Sequence, residues 1–162
     1  GGGFPVGAFG GRADLMDMLD NTKGRTGFFQ SGSFSANPMT MTAGLATLRQ
    51  LTPSAFAHLN RLGDRVSTEL NQLFLRLKVP AKTVNTGSVF SIYFIEGKLE
   101  NYRDLARDDR AFSHRVFLAL LEEGYFLNHT LSMNALSLPM QDNHISGLIK
   151  AMENAVEKAT RT

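Results

Sequence analysis

The 162-residue chain contains no cysteine, so disulfides and thiolate metal sites are excluded and its redox compartment stays open. No apolar run approaches the ~20 residues that a membrane-spanning helix needs, so no membrane role is expected. Charge of one sign is also missing. The 17 basic and 15 acidic residues give a net charge of +2 and are interspersed, as in Arg103-Asp104-Leu105-Ala106-Arg107-Asp108-Asp109-Arg110. That mixing reads as solvated helix faces, with no basic stripe suited to nucleic acid. The N-terminus has no charged stretch leading into an apolar one, so no signal peptide is read and the cytoplasm is the expected compartment. Metal-binding H-E-x-x-H and G-x-S-x-G elbows are absent, and the glycine-rich opening has no Lys-Ser/Thr at P-loop spacing.

What is present is a Gly-dense opening, GGGFPVGAFGG, whose glycines mark backbone packed closely against something. Residues 12–19 carry Leu15, Met18 and Leu19 at helical spacing, and 21–36 read as a long polar loop. Asn37-Pro38 is a helix start, with Ala43, Gly44 and Ala46 leaving room for a close neighbour. Thr52-Pro53 opens the longest helix, striped by Ala55, Leu59, Leu62, Val66, Leu70, Leu73, Phe74 and Leu77, and Val79-Pro80 closes it. Two strands, 82–86 and 88–95, meet at Gly87, and the near-continuous VFSIYFI run suits a strand covered on both faces. A helix from residue 109 or 110 to Glu123 stops at Gly124; short strands at 125–127 and 134–138 follow, and Asp142 caps a final helix. The fold class is α/β, in mixed α+β layers, with a domain over 53–162 preceded by a separate segment, 1–52.

Four histidines fail to pair at any metal spacing. His58, His114 and His144 read as structural or surface residues, while His129, in the polar cluster Asn128-His129-Thr130, is the candidate for a ligand pocket. Glu122 and Glu123 read as solvent-facing at a helix end. The chain therefore holds no complete catalytic constellation. One loop stands out: Ser31-Gly32-Ser33-Phe34-Ser35, directly before the Asn37-Pro38 helix start. Hydroxyls and backbone N–H groups ahead of a helix N-terminus suit an anion, or else Ser33 and Ser35 simply cap the helix.

The opening, the following DLMDML helix and GSFSANPMTMTAGLATL together resemble the class III, fold-type I pyridoxal-phosphate enzymes, closest to glutamate-1-semialdehyde aminomutase and related aminotransferases. The likeness continues more loosely in ALSLPMQDNHISGLIKAMENA. It implies the C-terminal part of the pyridoxal-phosphate-dependent transferase fold: 1–52 trailing the large cofactor-binding domain, and 53–162 forming the small domain. It implies pyridoxal 5'-phosphate as cofactor, a homodimer, a small amino-acid or amino-aldehyde substrate, and Gly32, Ser33 and Phe34 contacting the cofactor phosphate of the neighbouring subunit. In the family a cofactor-bearing lysine precedes the Gly-Gly-Gly run; this chain begins at Gly1 and is expected to be inactive and to self-associate by itself. The resemblance implies intramolecular amino transfer, or else transfer between molecules on a β- or ω-amino acid. A non-catalytic scaffold or binding domain is the third reading. An arginine that some β-amino-acid aminotransferases place before the LSLP-like strand has no counterpart in Leu131-Ser132-Met133-Asn134, so His129, Thr130 and Asn134 are only neighbours of the expected pocket.

Overall fold

The structure is a computed structural model that describes residues 1–20, 22, 28 and 30–161; positions 21, 23–27 and 29 of the expected 21–36 loop lie outside the described residues. The chain divides into two units, Gly1–Thr52 and Pro53–Thr162. In the first unit, α1 (Ala13–Met16) runs into a 3-10 turn, Asp17–Leu19, and α2 spans Pro38–Gln50. The Gly-rich opening lies on α2. A Cβ at Gly2 would strike the Ala43 carbonyl and Thr47, and Gly44 packs beside the Gly1 backbone. The small residues of α2 therefore admit the chain's own opening, although Ala46 itself is exposed. Among the described residues of this unit only Thr40 is buried, its hydroxyl donating to the Pro5 carbonyl at 3.4 Å. Phe4, Val6, Phe9, Leu15, Leu45 and Leu48 stay exposed, so this unit has no core of its own.

The second unit has a core. The apolar stripe of α3 (Pro53–Leu77) buries Leu59, Leu62, Val66, Leu70, Leu73 and Phe74, as its spacing predicts. β1 (Lys82–Thr86) and β2 (Val89–Tyr93) form an antiparallel hairpin, and β3 (Asn134–Ala135) pairs antiparallel on the other edge of β2. α4 (Arg110–Glu122) and α5 (Asp142–Arg161) pack together, and α5 also packs on α3. The three helices meet the Phe90, Ile92 and Phe94 side of β2 in one cluster, with Phe94 edge-on to Phe74 and to Phe112 at 5.7 and 4.7 Å between ring centres. On the opposite side of β2, Ser91 is buried while Val89 and Tyr93 are half-buried, so the expected cover on both faces is partial there.

Several expectations need correction. Residues 125–127 form no strand: the Tyr125 N–H closes α4 on the Leu120 carbonyl, and the Asn128 N–H is taken by the Asn134 side chain. The strand expected over 134–138 shrinks to two residues. Asp142 is not the cap of α5 either. Gln141 occupies that place, with the Ile145 N–H on its carbonyl and its own N–H donated to His144 Nδ1 at 2.9 Å, a histidine version of a capping box. Asp142 instead accepts from Arg61 at 2.8 and 3.0 Å and from Arg65 at 2.9 Å, tying α5 to α3. A 3-10 turn over Tyr102–Arg107, started by an Asn101–Asp104 capping box, was not anticipated.

The Asp142 clamp has a pH signature. Hydrogen bonds from Arg61 and then Arg65 hold its carboxyl down at about 2, against an ordinary 3.8. A depressed carboxylate stabilises the fold above its unfolded pKa, and the stabilisation is lost as pH falls through the folded value. Wild type should therefore melt above Asp142→Asn at pH 5–7, and the gap should close between about pH 4 and pH 2. The pair is exposed, so the gap is small. Melting curves at both ends of that range check it; a gap undiminished at pH 2 would assign the effect to something other than this carboxylate.

Candidate functional site

The first unit brings the two segments singled out in the sequence into one groove. Residues 5–9 of the opening form one wall and residues 30 and 32–36 the other, around an open space of ≈ 670 Å³. Two features shape the second wall. Ser35 N–H donates to the Gly32 carbonyl and Asn37 N–H to that of Phe34, giving successive tight turns, with Ala36 at φ 55°. A Cβ at Gly32 would sit 3.1 Å from Ser35 Oγ, so the turn favours glycine there.

The alternative in which the serines cap α2 fails. Asn37 is the cap: its Oδ1 accepts from the N–H groups of Met39 at 3.0 Å and Thr40 at 3.3 Å, and its carbonyl takes that of Met41. Pro38 has no N–H, so no first-turn donor of α2 is left for a ligand. Donors to an anion in this groove must come from the loop itself. The Ser33 hydroxyl and the Ser33 and Phe34 N–H groups make no hydrogen bond to another described residue. Phe34 is 65% exposed. Gly32, Ser33 and Phe34 thus form a polar rim on an uncharged groove, with the α2 dipole behind it.

The second unit has a separate cavity of ≈ 410 Å³ bounded by β2, β3, residues 125–128 and the start of α5. Of the pocket neighbours expected from sequence, Asn134 lines it, while His129 and Thr130 do not. Asn134 is buried and structural. Its Oδ1 accepts from Asn128 N–H at 2.8 Å and its Nδ2 donates to the Leu131 carbonyl at 2.8 Å. His129 is exposed. The other histidines are structural or surface residues: His58 shares a 2.9 Å hydrogen bond with the Met140 carbonyl, His114 stacks on Phe117, and His144 caps α5. Glu122 and Glu123 pair with Lys158 and Asn154. Among the described residues no group of three metal-ligating side chains converges, and no helix is long and apolar enough to cross a membrane.

No protein-family model matches the chain. Curated relatives do. The chain is 32% identical over 98% of its length to a Staphylococcus epidermidis glutamate-1-semialdehyde 2,1-aminomutase, and 32% identical over its whole length to one from Bacillus licheniformis. It superposes on an omega-transaminase of Sphaerobacter thermophilus with a TM-score of 0.92, at 36% identity over 99% of the chain. A beta-phenylalanine aminotransferase of Variovorax paradoxus follows at 0.83 and 31% over 94%. Its sequence relatives are glutamate-1-semialdehyde aminomutases, and its structural neighbours are class III transaminases. The chain spans about a third of these relatives' own length: 36% and 37% of the aminomutases, 37% and 35% of the two solved transaminases. The mixed helix-and-strand architecture is that of the pyridoxal-phosphate-dependent transferase fold, of which this chain represents a part. For a segment of such a fold, a first unit without a core is physically reasonable. What sequence reasoning missed is that the Gly-rich opening walls the same groove as Ser33; the available signal was the pairing of a glycine run with small residues on one helix face.

Proposed function

We propose that the chain is part of a pyridoxal-phosphate-dependent enzyme that moves amino groups, with 1–52 trailing a large cofactor domain and 53–162 forming its small domain. The observation that carries the reading is the groove of the first unit: an unpartnered Ser33 hydroxyl and loop N–H groups opposite the Gly-rich opening. Similarity to aminomutases and transaminases over nearly the whole chain supports it. The groove fits a phosphate. It offers several neutral donors at a positive helix end, has no carboxylate among its walls, and its Gly32 turn leaves the backbone approachable.

Bound pyridoxal phosphate would supply the electron sink for moving the amino group. This chain's own residues would do the holding. Ser33 Oγ and the N–H groups of Ser33 and Phe34 donate to phosphate oxygens, Asn37 keeps the helix end closed behind them, and Phe34 shields the rim. In the full-length homodimer we assign that phosphate to the cofactor held mainly by the opposite subunit. The exposed apolar residues of 1–52 would then be covered by the rest of the large domain and the partner. Intramolecular transfer of the aminomutase kind is the first reading, because a curated aminomutase matches the whole length of this chain. Transfer between molecules on a β- or ω-amino acid is the second, favoured by the 36% identity to the omega-transaminase. Either way the substrate is a small amino acid or amino aldehyde, and the cytoplasm is the proposed location.

Cofactor titration of Ser33→Ala in the full-length, lysine-bearing protein tests this. Losing a hydrogen bond to a charged oxygen should cost about 1.5–3 kcal/mol, or roughly ten- to a hundredfold in affinity. Ser35→Ala, whose hydroxyl caps nothing, should change affinity less. Equal affinity for Ser33→Ala and wild type would remove this loop from the cofactor site.

A further inference from the structure

We propose that the cavity of the second unit is a binding site for an uncharged aromatic ring carrying a hydrogen-bond acceptor. Its walls are Phe90, Tyr125, Phe126, Leu136, Ile145 and Leu148, with no lysine, arginine, aspartate or glutamate among the lining residues. Space is not limiting, since about 150 Å³ of apolar cavity accommodates a benzene ring and this one measures ≈ 410 Å³. A carboxylate or ammonium entering it would lose its hydration without meeting a counter-charge. The three aromatic walls offer edge and face contacts to a flat ring.

Several acceptors of the polar lining are already bonded. Both ends of the Asn134 amide are bonded, and Asn128 Oδ1 accepts from the Thr130 N–H and hydroxyl at 3.1 and 2.9 Å. His144 receives the Gln141 N–H on Nδ1, so its neutral ring carries the proton on Nε2. That N–H, the Asn128 Nδ2 group and the Tyr125 hydroxyl make no hydrogen bond to another described residue, and these donors favour an acceptor on the ligand.

The segment beside the wall is also held in place. Leu131, fully buried, and Met133, 73% exposed beside the mouth, both adopt φ 55°, a conformation costly for residues with side chains. Three hydrogen bonds impose it: Ile92 N–H to the Leu131 carbonyl at 2.9 Å, Asn134 Nδ2 to the same oxygen at 2.8 Å, and Met133 N–H to Ser91 Oγ at 2.9 Å. Those bonds fix the 131–133 segment beside the cavity lining.

The site does not depend on the cofactor, so it can be tested on the full-length protein whatever the outcome for Ser33. Benzyl alcohol, toluene and benzoate are titrated while the methyl resonances of Leu136, Ile145 and Leu148 are followed by NMR. Benzyl alcohol should give saturable shifts confined to these methyls, with benzoate at least tenfold weaker. Ala135→Phe, placing a ring in the cavity from an exposed position, should abolish the shifts in a folded protein. His144→Gln, which keeps a capping acceptor for Gln141, should weaken benzyl alcohol several-fold and leave toluene unchanged. Absent or unsaturable shifts, benzoate binding as tightly as the alcohol, or undiminished binding by folded Ala135→Phe would each overturn the proposal. If Ala135→Phe does not fold, the benzyl alcohol and benzoate comparison on wild type decides alone.

Discussion

Asn71→Leu should destabilise the second unit by about 2–5 kcal/mol, as two buried-side hydrogen bonds to backbone are lost together. Asn71 lies on α3 facing the outer edge of β1, where no further strand pairs. Its amide acts as that missing strand: Oδ1 accepts from the Thr83 N–H and Nδ2 donates to the Thr83 carbonyl, each at 2.9 Å. Ser67 Oγ adds a third bond, to the same carbonyl, at 3.1 Å. Leucine matches asparagine in size but leaves the Thr83 N–H without a partner beside a buried side chain, where the penalty for an unmade bond is highest. At about 4 °C per kcal/mol for a domain of this size, the melting temperature should fall by roughly 8 °C or more. The freed edge should also promote self-association on heating, since unpaired strand edges template pairing. Thermal unfolding with light scattering measures both. A melting temperature within 2–3 °C of wild type would mean water replaces the amide without cost.

Gly63→Val should cost about 3 kcal/mol, although removing glycine from the middle of a helix ordinarily helps by roughly 1 kcal/mol. The reversal comes from where α3 touches the hairpin. A Cβ at Gly63 would run into the Gly87 carbonyl oxygen, and Gly87 has φ +55°, in the turn between β1 and β2. The obstacle is backbone, so no rotamer change relieves it; either the hairpin or the helix must move. Gly63→Ala tests the same contact with the helix-propensity gain included, and should still be destabilising, by a smaller amount. Denaturant unfolding of the pair would show this. An alanine variant more stable than wild type would mean the hairpin yields freely.

Legibility in the sequence followed periodicity. The α3 stripe was read from 3.6-residue spacing and is buried from Leu59 to Phe74, with Ala55 and Leu77 half-buried at its ends, because amphipathic helices carry their burial pattern locally. The cap at Asn37 was readable for the same reason: a cap bonds groups two or three residues away. β1 was read correctly in extent yet misleads in orientation. Its buried position is Thr83, whereas Val84 is 43% exposed, since pairing with β2 puts Thr83 opposite Ile92 on the core side. The 125–127 segment looked like a strand by composition, but its donors belong to a helix end and to a side chain nine residues beyond Tyr125.

The candidate site divides in the same way. The sequence by itself determined the helices, the Asn37 cap, the hairpin and, through GSFSANP and the Gly-rich opening, the likeness to the aminotransferases, because each is written in neighbouring residues. Only the tertiary structure decided that the opening and the Ser33 loop wall one groove, and that Asp142 clamps α3 while His144 takes part in the cap. It likewise decided that Asn134 is bonded inward and His129 is left in solvent. These outcomes turn on which hydrogen-bonding group meets which after the chain closes. Contacts such as Arg61 with Asp142 join residues 81 positions apart, a separation at which local propensity carries no information.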